Sequence, residues 1–213
     1  MDLKNKTALI LYEYSGVFTN LYKELGYNTI QVDKEFGQDV RLLEYDPVLN
    51  VECILAFPPC TYFAVSGNKY RDKEKAIKSD KDFQSLYEEN IQEGLSCVDV
   101  VFRLIHLHRP KYWMIENPIG TLQRYIGKSK HIFSPFEYAG YLDNPENEAY
   151  TKKTCLWGDF TMPDKKPVEP IKGSLMHTNI RDPKKRSLSP SGFAKAFVIA
   201  NTGGQNAQRL LFS

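Results

Sequence analysis

The 213 residues are 42% hydrophobic and 25% charged, with a formal net charge of +2. That composition suits a folded chain that buries a core, and it creates no overall field demanding a polyanionic partner, so any basic surface has to be local. No apolar run approaches the ~20 residues of a membrane span and the N-terminus has no signal-peptide core, so no membrane partner and a cytoplasmic location are expected.

In chain order, Thr7–Tyr12 reads as a buried strand, followed by Glu13-Tyr14-Ser15-Gly16 and a helix-like pattern through Leu21, Tyr22 and Leu25 that Gly26 stops. Thr29–Asp33 makes a second strand ending on an acid. Strand, glycine turn, helix, strand and acid are the grammar of a nucleotide-binding βαβ unit. A single glycine, Gly16, favours a ligand with an adenosine and no pyrophosphate; a tight turn without a ligand is the other reading. Asp33 could hydrogen-bond a ribose or cap a helix. Asp39, in the polar turn after Gly37, is a second candidate for holding an adenosine.

The apolar run Val51–Phe57 ends abruptly in Pro58-Pro59-Cys60. Two prolines fix a stiff exit from the sheet, and they leave a thiol at the carboxyl end of a strand, where open α/β sheets place their ligands. Cys60 is therefore a candidate nucleophile. Cys53 and Cys97 sit in apolar patterns as core residues. The four cysteines (with Cys155) form no C-x-x-C pair, which argues against zinc and against a disulfide framework.

A polar, charged connection spans 68–81, and a long amphipathic helix follows from about Asp82 to His108, with Ser79 or Asp80 available as its cap. Tyr112–Ile115 forms another buried strand ending in Glu116-Asn117-Pro118. If it lies beside the Pro-Pro-Cys strand, Glu116 and Cys60 emerge on one edge, with the helix as the crossover that parallel strands need. A short helix is expected over 121–126, then strands over Phe136–Tyr141 and Lys153–Trp157 as an antiparallel edge hairpin. Residues 161–186 are rich in Pro and Lys. Ser189-Pro190 is an N-cap and N1 pair opening a last helix that Gly203 and Gly204 end.

With both strand ends in hand, the sequence resembles the DNA cytosine-C5 methyltransferase family, in the small form often carried by phages and prophages. Pro58 to Gly67, including Ser66, resembles the catalytic Pro-Pro-Cys loop. Glu116-Asn117-Pro118 resembles the Glu-Asn-Val motif, with proline for valine. Tyr14-Ser15-Gly16 and the following Val17 resemble the cofactor loop, and Asp39 falls where an acid contacts adenine. Thr151–Gly158 resembles the basic hairpin strand, and Arg186–Pro190 a late motif.

The resemblance implies a Rossmann-like α/β fold of the S-adenosylmethionine-dependent methyltransferase type, mostly parallel with an antiparallel edge hairpin, in a single catalytic domain over 1–213. It implies methyl transfer from S-adenosylmethionine to C5 of a DNA cytosine flipped out of the duplex or single-stranded. Cys60 would be the nucleophile on C6 and Glu116 the acid that holds the ring. Tyr14, Ser15, Gly16, Val17, Asp33, Asp39 and Pro58 would bind cofactor, while Ser66, Asn117, Lys152 and Lys153 would bind substrate. Residues 161–186 are too few for a separate recognition domain. Sequence specificity is therefore expected to be low or supplied by a protein partner. Lys165, Lys166 and Lys184-Lys185-Arg186 could contact phosphates or merely solubilise a loop. Modification of a pyrimidine nucleotide or an RNA base, or a non-catalytic decoy keeping the fold, are the alternatives.

Overall fold

The computed structural model describes residues 3–64, 83–174, 187–204 and 207–208. Six strands form one sheet: β1 (Thr7–Leu11), β2 (Asn28–Val32), β3 (Val51–Ala56), β4 (Tyr112–Pro118), β5 (His131–Phe133) and β6 (Thr154–Asp159), in the order β2-β1-β3-β4-β6-β5. β1 to β4 are mutually parallel, while β6 is antiparallel to both β4 and β5. β5 therefore runs with the first four, and β6, one strand in from the edge, is reversed. This is a Rossmann-like α/β arrangement with an antiparallel pair at one edge.

Alternation along each strand builds two cores. Ala8, Ile10, Cys53, Leu55 and Met114 face helices α1 (Val17–Glu24) and α4 (Ser191–Thr202), and meet Phe18, Tyr22, Phe193 and Phe197. Leu9, Leu11, Ile54, Ala56 and Ile115 face α2 (Phe83–His108), against Ile91, Val98, Val101 and Leu104. Cys53 and Cys97 are buried, as small core residues should be. Gly26, at φ +88°, closes α1 with a Schellman pair: the Tyr27 N–H donates to the Tyr22 carbonyl and the Gly26 N–H to that of Lys23.

Two local expectations fail. Phe136–Tyr141 is not a strand: Pro135–Glu137 and Ala139–Tyr141 are single 3-10 turns, and β6 pairs instead with His131–Phe133. Pro135 removes a ladder donor, and the Ser134 and Glu137 side chains close a capping box that favours a turn over an extended chain. Ser189 does not cap α4 either. Its first N–H groups, on Ser191 and Gly192, donate to the Glu148 carboxylate from a distant turn, at 2.5 and 3.0 Å.

The segment 161–174 is strapped along 136–151. Gly140 N–H donates to the Lys166 carbonyl, Val168 N–H to that of Phe136, and the Tyr141 hydroxyl to that of Asp164. Lys165 pairs with Glu137 at 2.6 Å, and the Lys166 ammonium lies 4.3 Å from the centre of the Tyr141 ring. Both lysines have work within the fold. The cluster 184–186, Ser66 and the proposed caps of α2 lie outside the described residues. Among the described residues, no helix is long and apolar enough to cross a membrane, and no group of acids, histidines and cysteines could hold a metal.

Candidate active site

β1 sends its chain to β2 on one side, while β3 lies on the other, so the carboxyl ends of β1 and β3 form a topological switch point. At the end of β1 the backbone departs from strand geometry at once. Tyr12 holds φ +60°, an unusual state for a bulky residue, costing on the order of 1–3 kcal/mol and found most often at functional sites. Its hydroxyl donates to the Cys97 carbonyl of α2 at 3.0 Å, which holds the side chain on that face.

Glu13 follows, only 3% exposed. Its Oε1 accepts from the Ser15 hydroxyl and, at 3.3 Å, from the Val17 N–H at the start of α1. Gly16, at φ +74°, supplies the left-handed turn between them. Glu13 Oε2 is buried with no hydrogen-bond partner among the described residues. Burial pushes the Glu13 carboxyl above its ordinary range, against the bonds from Ser15 and Val17 that pull it down. A buried polar oxygen without a partner costs about 1–3 kcal/mol, so stability alone does not account for it. Sequence reasoning passed over Glu13. The available signal was an acid two residues beyond the apolar run of β1, just before the glycine turn.

The other acids expected near an adenosine occupy local roles. Asp33, buried at the end of β2, caps the turn Lys34–Phe36 by accepting from the Glu35 N–H at 2.8 Å, the capping reading of the sequence. Asp39 caps Val40–Leu42 and pairs with Arg41 at 2.7 Å, and Arg41 reaches on to Glu93 of α2 at 2.8 Å. Arg41 holds the Asp39 carboxyl below its usual range.

At the next strand ends, β3 and β4 pair only as far as Ala56 and Ile115. Pro58 and Pro59 then turn β3 away, while β4 continues through Glu116, Asn117 and Pro118 against β6. Pro118 tolerates a strand position because the side facing β3 has no ladder left to join. In place of the ladder, the fully buried Asn117 donates its amide Nδ2 to the Pro58 carbonyl at 2.9 Å. The chain after Cys60 turns tightly, with Phe63 and Ala64 N–H groups donating to the Cys60 carbonyl.

That turn is fastened a second time. The Thr121 N–H donates to the Phe63 carbonyl at 2.8 Å, and Ala64 forms a bridge with Gly120. A Cβ at Gly120 would overlap the Phe63 carbonyl, so the close approach needs glycine there. Gly94 of α2 does the same for the Phe63 ring, which a Cβ would meet at 2.6 Å. Cys60, half-buried, is thus held on a loop bolted to Asn117 within β4 and to Gly120 and Thr121 just beyond it.

Glu116 is half-buried, and burial pushes its carboxyl above the ordinary range, opposed by Lys152. Lys152 precedes β6 and acts on Glu116, while Lys153 is exposed beside it and its carbonyl accepts from the Ile119 N–H. The fold thus brings Cys60, Pro58, Glu116, Asn117 and Lys152 to one edge, with Glu13, Ser15, Gly16 and Val17 at the adjoining end of β1. Such an edge can offer a thiol nucleophile, a carboxyl whose burial favours its protonated form, and a buried acceptor for a cation or hydroxyl.

No family model matches the sequence, and no curated protein matches it. Among solved structures, the chain is similar to one described as a candidate DNA modification methyltransferase encoded within an E. coli prophage, at 13% identity and a TM-score of 0.41. The similarity covers 76% of this chain and 52% of that one, so the chain spans about half the length of that protein.

Proposed function

We propose that the chain is an S-adenosylmethionine-dependent DNA methyltransferase acting on C5 of cytosine through a covalent bond between Cys60 and C6. One observation carries the reading: a thiol and a carboxyl, on the exits of two neighbouring parallel strands, are tied together by Asn117–Pro58 and Thr121–Phe63. Core packing does not require a half-buried Pro-Pro-Cys exit to be bolted to the strand that carries an acid.

The chemistry explains why those groups need to meet. C5 of cytosine is too weak a nucleophile to take a methyl group unaided. The Cys60 thiolate adds to C6, the C5–C6 double bond opens, and its electron pair is shared between C5 and the ring. Glu116, in its protonated form, donates to N3 and accepts from the exocyclic amine, which stabilises the charge arriving on the ring. S-adenosylmethionine, when bound, supplies an electrophilic methyl on a sulfonium centre. Once C5 is alkylated and the methyl donor has left as a neutral thioether, a solvent water takes the C5 proton, the C–H electron pair re-forms the C5–C6 double bond, and the Cys60 thiolate is expelled. The thiol and the carboxyl are regenerated and 5-methylcytosine is released.

The end of β1 fits the cofactor. Its ammonium and ribose hydroxyls are hydrogen-bond donors, and the buried, unpartnered Oε2 of Glu13 is an acceptor in need of one. Tyr14, Ser15, Gly16 and Val17 would line that subsite, with Asp33 and Asp39 toward the ribose and adenine. Asn117 would keep the Pro58 carbonyl aligned, and Lys152 and Lys153 would face the substrate. The chain would act as a single catalytic domain without its own sequence-reading module. The test is trapping on DNA containing 5-fluorocytosine, whose C5 carries no removable proton: a protein–DNA complex must survive denaturation and vanish in Cys60→Ser.

A further inference from the structure

The run from Asn117 to Phe136 contains no Asp or Glu, and neither does Ala149 to Gly158. In a chain of near-balanced charge, two such stretches are unusual only if they meet, and they do. Lys130 N–H donates to the Leu156 carbonyl, Ile119 N–H to the Lys153 carbonyl, and Trp157 Nε1 to the Gly127 carbonyl at 2.8 Å. Leu156 stands between Glu116 on one side and His131 on the other, so His131 is two strand spacings, ~10 Å, from Glu116. Arg124, Lys128, Lys130 and Lys153 are all exposed on this surface. None of the ion pairs among the described residues uses them; those pairs engage Lys6, Arg41, Lys111 and Lys165.

An aromatic side chain stands in the middle. Tyr125 lies in the four-residue helix α3 (Gln123–Ile126) and is 43% exposed. Its ring centre is 6.3 Å from that of Phe63, which is buried in the turn that follows Cys60. The surface thus alternates point charges with a ring, directly continuous with the catalytic edge.

We propose that this face, from α3 to the start of β6, is a track for single-stranded nucleic acid, with phosphates on Arg124, Lys128, Lys130 and Lys153 and one base stacked on Tyr125. The track deepens the methyltransferase reading and rests on it for the identity of the edge it feeds. Exposed cations neutralise phosphates whatever the base sequence, and an aromatic ring stacks with any unpaired base. A duplex keeps its bases stacked on one another and offers Tyr125 no free face. The single turn of α3 is too short to fill a major groove and read it. A track of this kind delivers a cytosine that is already unpaired, so no unstacking energy has to be found.

The test is fluorescence anisotropy with the full chain, a labelled 12-nucleotide DNA strand and its duplex, without cofactor. Single-strand binding should weaken with salt. The Lys128→Ala, Lys130→Ala double variant should bind at least about tenfold more weakly, with a salt slope shallower by about 1.4. Tyr125→Ala should lose about 5- to 150-fold with its salt slope unchanged, the mark of lost stacking. Lys23→Ala and Lys111→Ala, away from this face, should bind as the parent does. Unaltered binding in both track variants, or a duplex held as tightly as the single strand, overturns the track. Strand binding through these residues with no Cys60 adduct leaves the track standing and removes the methyl-transfer reading. Adduct formation with binding unchanged in the variants does the reverse.

Discussion

Glu13 is an acid held where folding alone would favour an apolar side chain, and that makes its two roles separable. Glu13→Gln keeps an acceptor for Ser15 and Val17 but removes the ionisable carboxyl. The variant should melt no lower than the parent, while S-adenosylmethionine affinity falls about tenfold or more, the scale of a lost charge-assisted hydrogen bond. Calorimetric titration beside a thermal melt measures both. A parallel loss of stability and affinity would make Glu13 a structural cap for α1. At Glu116 the sign of the pH response is set by two opposed influences, burial raising its pKa and Lys152 lowering it. Ring activation needs the protonated carboxyl, so adduct formation should fall as pH rises through the Glu116 pKa. Lys152→Met removes the lowering influence, and that alkaline limb should move to higher pH. A limb that stays in place would mean another group controls it.

Among the elements, the strand exits matter more than the strands. Periodicity located β1, β3 and β4 within a residue or so at their starts, because each is buried on both faces and reads as a continuous apolar run. It stopped β4 at Ile115, since Glu-Asn-Pro reads as a loop; what extends it is pairing with β6, forty residues on. The same blindness to distance explains Glu148 capping α4 across the fold while Ser189 sits next to it in sequence. Gly120 entered no expectation drawn from the sequence beyond preceding the short helix at 121–126. Its reason is the Phe63 carbonyl packed against it, and that contact fixes the Cys60 loop to β4. Gly120→Ala should therefore cost about 1–3 kcal/mol of stability from overpacking and reduce adduct formation by more than the folded fraction accounts for. Thermal melting paired with trapping kinetics separates the two. Trapping that merely follows the folded fraction would show that the fastening does not position Cys60.

At the scale of the molecule, the sheet order sets the chemistry. The reversal between β1 and β3 opens the sheet at its carboxyl edge, and β4 beside β3 brings a second chemical group to that opening. Cys60 and Glu116 were legible as a pair because both follow apolar runs and both are punctuated by proline. Glu13 was not, because an acid in a connecting segment is ordinary until its burial is known. The basic face around Tyr125 was hidden for a related reason: its cations are scattered over Arg124 to Lys153, and β5–β6 pairing gathers them. The central claim is that this edge forms a covalent bond to a cytosine. Its most direct measurement is intact-mass analysis of the protein after incubation with S-adenosylmethionine and a 5-fluorocytosine oligonucleotide, followed by peptide mapping. The account predicts a denaturation-resistant species of protein plus methylated oligonucleotide, with the added mass on Cys60 and none in Cys60→Ser. An adduct mapped to Cys53, Cys97 or Cys155, or no adduct from protein that binds both cofactor and DNA, would contradict it.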